Sequence, residues 1–251
     1  MNVEAMEERI KALEGQVAEV DELKSQVRTL EKNLTVLQDI EAIKKLQKAY
    51  GYYVEHMMYQ EIIDCFSDSP DVRLDWLEGK YLGKEGVIKY FEFMKTAPRD
   101  FIHQVMPIAG VVDVDPDGKT ARGRWYAFGG IFIPREGNVR RSFVSGIYEN
   151  GYIKEDGIWK MLSIKWVIPY AVRIAEEWAM PEDINRPFLA GQFRGPKPDI
   201  DIDRNDLRYV SGYIFPFHYN HPVTGKSTSE GEKNVRLKVV ESTGSTGEAD
   251  S

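Results

Sequence analysis

Four long segments, roughly 101–114, 120–134, 138–154 and 159–168, follow one another with a hydrophobic period near two. Their connectors are Asp115-Pro116-Asp117-Gly118, Arg135-Glu136-Gly137 and Glu155-Asp156-Gly157. Each joins Gly to an acidic residue, which is hairpin chemistry. Strands joined this way run antiparallel, so this half of the chain is a meander. The preceding residues have a helical period. Asp39 is an N-cap candidate for a helix through His56, with Ile40, Ile43, Leu46 and Tyr50 on one face. A short helix at 59–66 ends before Ser69-Pro70, a strand follows at 71–77, Glu78-Gly79-Lys80 reads as a turn, and 84–94 as a helix. Helices followed by a meander make an α+β domain, an antiparallel sheet covered by helices on one face.

The flanks differ from this domain. In residues 1–38, apolar side chains fall at Val3, Met6, Ile10, Leu13, Val17, Val20, Leu23, Val27, Leu30, Leu34 and Leu37. Steps of three and four make a coiled-coil-like helix. Two successive threes at Val17, Val20 and Leu23 form a stammer, and Gly15 weakens the helix. Such a stripe serves self-association or packing across a subunit boundary, or else lies on its own domain. Residues 181–251 read as an extended C-terminal arm and mobile tail. The arm contains Gly195-Pro196-Lys197-Pro198 and an aromatic stretch at 209–219, and a further strand is possible at 235–240. The expected organisation is therefore 1–38, 39–180 and 181–251.

Charge and composition narrow the function. A net charge of −7 and a pI near 5.3 argue against a nucleic-acid partner and against anchoring to anionic membranes. No stretch approaches 18 apolar residues, and the first residues lack an apolar signal-peptide core, so the expected location is cytoplasmic. The single cysteine, Cys65, excludes an internal disulfide and reads as a buried thiol. His218 and His221 lack a carboxylate or cysteine at ligand spacing, so they suggest a lid or clasp. No phosphate loop, nucleophile elbow or metalloprotease motif occurs. No cofactor and no metal is expected.

The run Asp39-Ile40-Glu41-Ala42-Ile43-Lys44-Lys45-Leu46 followed by Tyr50 resembles the opening helix of the nuclear transport factor 2-like superfamily. So do the strand around His103, Gly123-Arg124-Trp125-Tyr126, and Asp156-Gly157-Ile158-Trp159. The SnoaL-like branch, with scytalone dehydratase and bile-acid 7α-dehydratase, is most similar over about 39–175. The resemblance implies a cone opening to an apolar pocket, a small-molecule aromatic or polycyclic ligand, and a homo-oligomer, with a trimer favoured.

On this resemblance Tyr50, Glu55 and His103 match the dehydratase's tyrosine, acid and histidine. Their chemistry suits loss of water: histidine moves a proton near neutral pH, a phenol stabilises a developing oxyanion, and a carboxylate orients or assists. Tyr50 and Glu55 stand about 140° apart around a regular helix, so sharing a pocket needs a distortion or a wide mouth. Gly129 and Ile168 replace an acid and an arginine of the bile-acid enzyme, which implies a roomier, more apolar cavity. Ring-stacking and contact candidates are Tyr53, Trp76, Trp125, Tyr126, Phe128, Phe143, Tyr148, Lys165 and Trp166. The resulting expectation is a cofactor-independent lyase acting on a hydroxylated aromatic or cyclic compound. The narrower form couples dehydration to carbon–carbon cleavage with formaldehyde release, as in lignin diarylpropane lyases. The alternatives are a ketosteroid-isomerase-like isomerase and a non-catalytic binding or assembly protein.

Overall fold

The computed structural model describes residues 3–76, 79–98, 101–135, 138–173 and 220–227. The expected proline-rich arm, the aromatic stretch with His218, and the strand at 235–240 lie outside the described residues. The chain forms two compact units, Met1–Glu41 and Ala42–Ser251.

One helix, α1, runs Val3–Glu55 without interruption. This corrects the expected start at Asp39, which lies inside the helix. Between Gly15 and Gly51 the chain has neither glycine nor proline, so nothing there breaks the backbone ladder. In the first unit all eleven stripe residues are exposed. In the second unit Ile43, Leu46, Ala49, Tyr50, Tyr53 and Val54 form the buried face of the last turns.

After α2 (Tyr59–Asp64) come β1 (Arg73–Trp76) and β2 (Gly79–Leu82), then α3 (Gly83–Phe91) and a 3-10 turn at Glu92–Thr96. The expected turn at 78–80 is corrected, because Gly79 and Lys80 belong to β2, which pairs antiparallel with β1. The long meander forms as expected, as β3 (Ile102–Val114), β4 (Thr120–Arg135), β5 (Asn138–Glu155) and β6 (Ile158–Arg173). The six strands lie in the order β2-β1-β6-β5-β4-β3. The sheet is mixed rather than purely antiparallel, since β1 runs parallel to β6 and aligns Leu74 with Ile164. At the β5–β6 turn Asp156 and Gly157 both have positive φ, 49° and 80°, as a two-residue hairpin turn requires.

Register assigns the faces, because directly paired residues project to the same side. Trp125 pairs with Tyr148, Gly123 with Asn150 and Ala121 with Tyr152, and all six are buried. This inner face carries the second unit's polar anchor. Gln47 Oε1 accepts from Asn150 Nδ2 (2.8 Å) and from the Tyr152 hydroxyl (2.6 Å), while Trp125 Nε1 donates to Tyr152 Oη (2.9 Å). The anchor fixes the end of α1 to β5. β3 is irregular between Ile108 and Val111, where Ala109 has φ 49°. A Cβ on the next residue, Gly110, would stand 2.0 Å from the Trp125 ring.

Gly110→Ala is therefore expected to cost about 1–3 kcal/mol by overpacking, read as a lower urea midpoint. Gly15→Ala meets no atom within 4 Å and is expected to raise helix content, stabilising α1 by about 1 kcal/mol. Equal midpoints for the parent and Gly110→Ala would contradict the packing described.

Candidate active site

The inner face and its covering helices bring aromatic groups together. Tyr50, buried on α1, meets Phe66 (5.9 Å between ring centroids) and Phe91 (6.4 Å) edge-on. Trp76 of β1 stacks on Tyr90 of α3 at 5.1 Å. Tyr148 of β5 lies 4.4 Å from the Trp166 ring of β6. That ring covers Gly146, where a Cβ would stand 1.9 Å from it. The phenols of Tyr50, Tyr90 and Tyr148 lie close enough to influence one another's ionisation. Tyr90 was not among the sequence candidates. Its helix was legible, but only the fold shows which side of α3 faces Trp76.

His103 occupies the same sheet face as Val105, paired with Ile131 of β4. Its Nδ1 is buried with no hydrogen-bond partner, and so is Nε1 of Trp76. A buried polar atom without a partner costs about 1–3 kcal/mol, and Gln47 Nε2 and Asn150 Oδ1 within the anchor share that state.

Glu55 ends α1. Met57 follows in the left-handed region, and Met58 N–H donates to Tyr53 C=O at 2.9 Å, closing the helix. The Glu55 carboxylate accepts from Gln104 Nε2 at 3.2 Å. Neighbours on a strand project to opposite faces, so Glu55 engages the residue beside His103 and not His103 itself. Among the described residues no hydrogen bond joins His103 to Tyr50 or Glu55.

Several sequence candidates lie away from these rings. Phe128 and Phe143 stack on each other (6.1 Å, 4°) on the opposite sheet face, both exposed, and Tyr126 is exposed beside them. Lys165 is exposed on that face, paired with Glu149. These are corrections that follow from strand alternation. Trp125 is engaged in the Tyr152 anchor. Gly129 adds no room, because a Cβ there would stand 1.6 Å from the Gln104 carbonyl oxygen, so backbone already fills that space. Ile168 lies on β6, but its side chain is outside the described residues. Tyr53 stacks on His221 (5.1 Å, 10°) and so holds the segment 220–227. His221 Nε2 donates to Glu61 C=O at 2.8 Å, while its Nδ1 accepts from the Val223 and Thr224 amides. The contacts of His221 thus lie within its own chain, beside buried Cys65, and not across a subunit boundary.

Burial governs the electrostatics. It pushes the Tyr50 and Tyr148 hydroxyls above the ordinary phenol range, so both remain donors at neutral pH. It lowers His103 to about 4, leaving a neutral imidazole. It raises Glu55, against the opposing bond from Gln104. Burial likewise pushes the Cys65 thiol up, which suits a packing role. Among the described residues no group of three potential ligands could hold a metal, and no helix is long and apolar enough to cross a membrane.

The model of the SnoaL-like domain matches residues 35–165, more than half of the chain. The chain belongs to the SnoaL-like domain family. This SnoaL-like chain is similar in structure to a scytalone dehydratase-like protein from Novosphingobium aromaticivorans. The TM-score is 0.50 at 17% identity, covering 57% of this chain and 92% of that one. It is also similar to a hexachlorocyclohexane dehydrochlorinase, LinA-type3, from Novosphingobium barchaimii. There the TM-score is 0.47 at 20% identity, covering 57% and 94%. At these identities the likeness concerns the fold.

Buried His221 and half-buried His103 give this SnoaL-like domain an acid sensitivity. Both titrate near 4 in the native state, against 6.5 for a free histidine. Between those values the unfolded chain binds more protons, so their contribution is complete above about 6.5 and is lost as pH falls toward 4. Glu55, raised, acts in the opposite sense. Urea midpoints are expected to fall between pH 6.5 and 4.5, and His221→Gln to be less stable at neutral pH with a shallower decline. An unchanged slope in that variant would contradict the neutral, fully bonded His221.

Proposed function

We propose that this protein is a cofactor-independent lyase that removes water from a hydroxylated aromatic or cyclic small molecule. The observation behind this reading is the pair of buried, unpartnered polar atoms, His103 Nδ1 and Trp76 Nε1, in a setting otherwise rich in rings.

Neutral His103 is the base: it takes the proton from the carbon next to the hydroxyl-bearing carbon. The C–H electron pair becomes the new double bond as the C–O bond breaks. The resulting imidazolium returns the proton to the departing hydroxide, releasing water and restoring the base. Tyr50 and Tyr148 donate hydrogen bonds to oxygen as it gains charge, a role supported by their unionised state. Trp76 Nε1 binds a second substrate oxygen, with its ring stacked on Tyr90. Glu55 has a raised carboxyl bonded to Gln104, and stays a secondary proton carrier at the end of α1. In a substrate with a benzylic hydroxyl and a neighbouring hydroxymethyl group, the base would instead take the hydroxymethyl O–H proton, the C–C electron pair would form the double bond as the benzylic C–O bond breaks, and formaldehyde and water would leave. The chain's family, which binds small molecules, suits either outcome.

The convergence of Tyr50 and Tyr148 also favours a second reading, proton transfer alpha to a carbonyl with the phenols stabilising the enolate. Ultraviolet spectra separate the two: dehydration adds a double bond and releases water, whereas isomerisation relocates a double bond at constant mass. With hydroxylated diaryl, steroid and polyketide-like compounds, a product lighter by one water is expected. His103→Gln and Tyr50→Phe are expected to lower turnover by about 10²–10⁴ while keeping the parent's melting behaviour. Tight binding with every compound recovered unchanged would overturn the lyase reading.

A further inference from the structure

The stripe on the first unit has no role in the chemistry above. Eleven large apolar residues between Val3 and Leu37 are each 46–69% exposed. Soluble monomers seldom show so long an uninterrupted apolar surface. From residue 3 to 37 the helix spans about 50 Å at 1.5 Å per residue, so the stripe is far longer than a chance patch.

Its composition says what covers it. Before the stammer the a positions are Val3, Ile10 and Val17, and the d positions are Met6 and Leu13. Val20 closes that register as d and opens the next as a. The later a positions are Val27 and Leu34, and the later d positions are Leu23, Leu30 and Leu37. β-Branched residues at a with leucine at d favour two parallel strands over three.

The flanking charges agree. In a parallel pair each g position faces the e position five residues on in the partner. Arg9 then faces Glu14, and Glu19 faces Lys24, while Gln26 and Asn33 face Glu31 and Gln38. Two contacts are attractive and none sets like charges together. An antiparallel pair would set e against e, bringing Glu7 toward Glu31, with Glu14 against Lys24 the one attractive contact there. Lys24 now lies 3.2 Å from Asp21 of its own helix, an exposed pair that constrains it little. Gly15 falls at an f position, away from a partner, with no atom near its missing Cβ.

We propose that residues 3–37 pair with the same segment of a second copy of this chain as a parallel, in-register, two-stranded coiled coil. This would replace the trimer that the family resemblance implies.

Sedimentation equilibrium of the full chain is expected to give twice the 28.8 kDa chain mass. Leu23→Glu with Leu30→Glu, on exposed helix surface, is expected to halve it. Leu13→Cys is expected to form a disulfide-linked pair under mild oxidation, since only parallel in-register helices bring the two positions together. A parent mass of one or three chains would overturn the proposal. So would a dimer that survives the double variant, or a Leu13→Cys protein that forms no linked pair.

Discussion

A single buried amide positions the second unit's chemistry. Gln47 is fully buried, and its Oε1 accepts two hydrogen bonds from β5. Leaving such groups unpaired would cost about 1–3 kcal/mol each, so the end of α1 is held to one rotation and one height on the sheet. Tyr50 follows three residues later on the same helix face, so the anchor also sets where its hydroxyl points. Trp125, bonded to the same Tyr152, stiffens the neighbouring strand. The site is thus an extension of a packing interaction rather than a separate construction.

The sheet's two faces divide the aromatic residues by role. The inner face and its helices carry Tyr50, Trp76, Tyr90, Tyr148 and Trp166. The outer face leaves Tyr126, Phe128 and Phe143 exposed. Burial keeps the inner phenols protonated and His103 unprotonated at neutral pH, so proton donors and a proton acceptor coexist on the inner face. Apolar surroundings do not favour imidazolium, which suits a base that holds its proton only briefly.

The meander was legible because alternation and Gly-acid turns are local signals. The Asp156-Gly157 turn needs only its own two residues to be recognised. The break at Asp39 was misread because an Asp before an apolar period looks the same at a helix start and inside a long helix. β2 was missed because a four-residue strand next to a turn has too few residues to display a period. In the site, residue type found the aromatic candidates but not their faces. Trp125 and Phe128, an odd number of residues apart on one strand, project to opposite faces, and a glycine at 129 reads as added space although the Gln104 carbonyl fills it. Glu55 was placed beside His103 by family likeness, whereas its bond goes to Gln104 because α1 closes at Met57.

In the proposed function, His103 Nδ1 and Trp76 Nε1 await a ligand's polar groups. This is tested most directly by ¹⁵N spectra of the protein titrated with hydroxylated ring compounds. The account predicts that a binding compound shifts the Trp76 indole N–H and the His103 ring nitrogen together, before any other indole moves. Saturable binding that leaves both signals unchanged would contradict it.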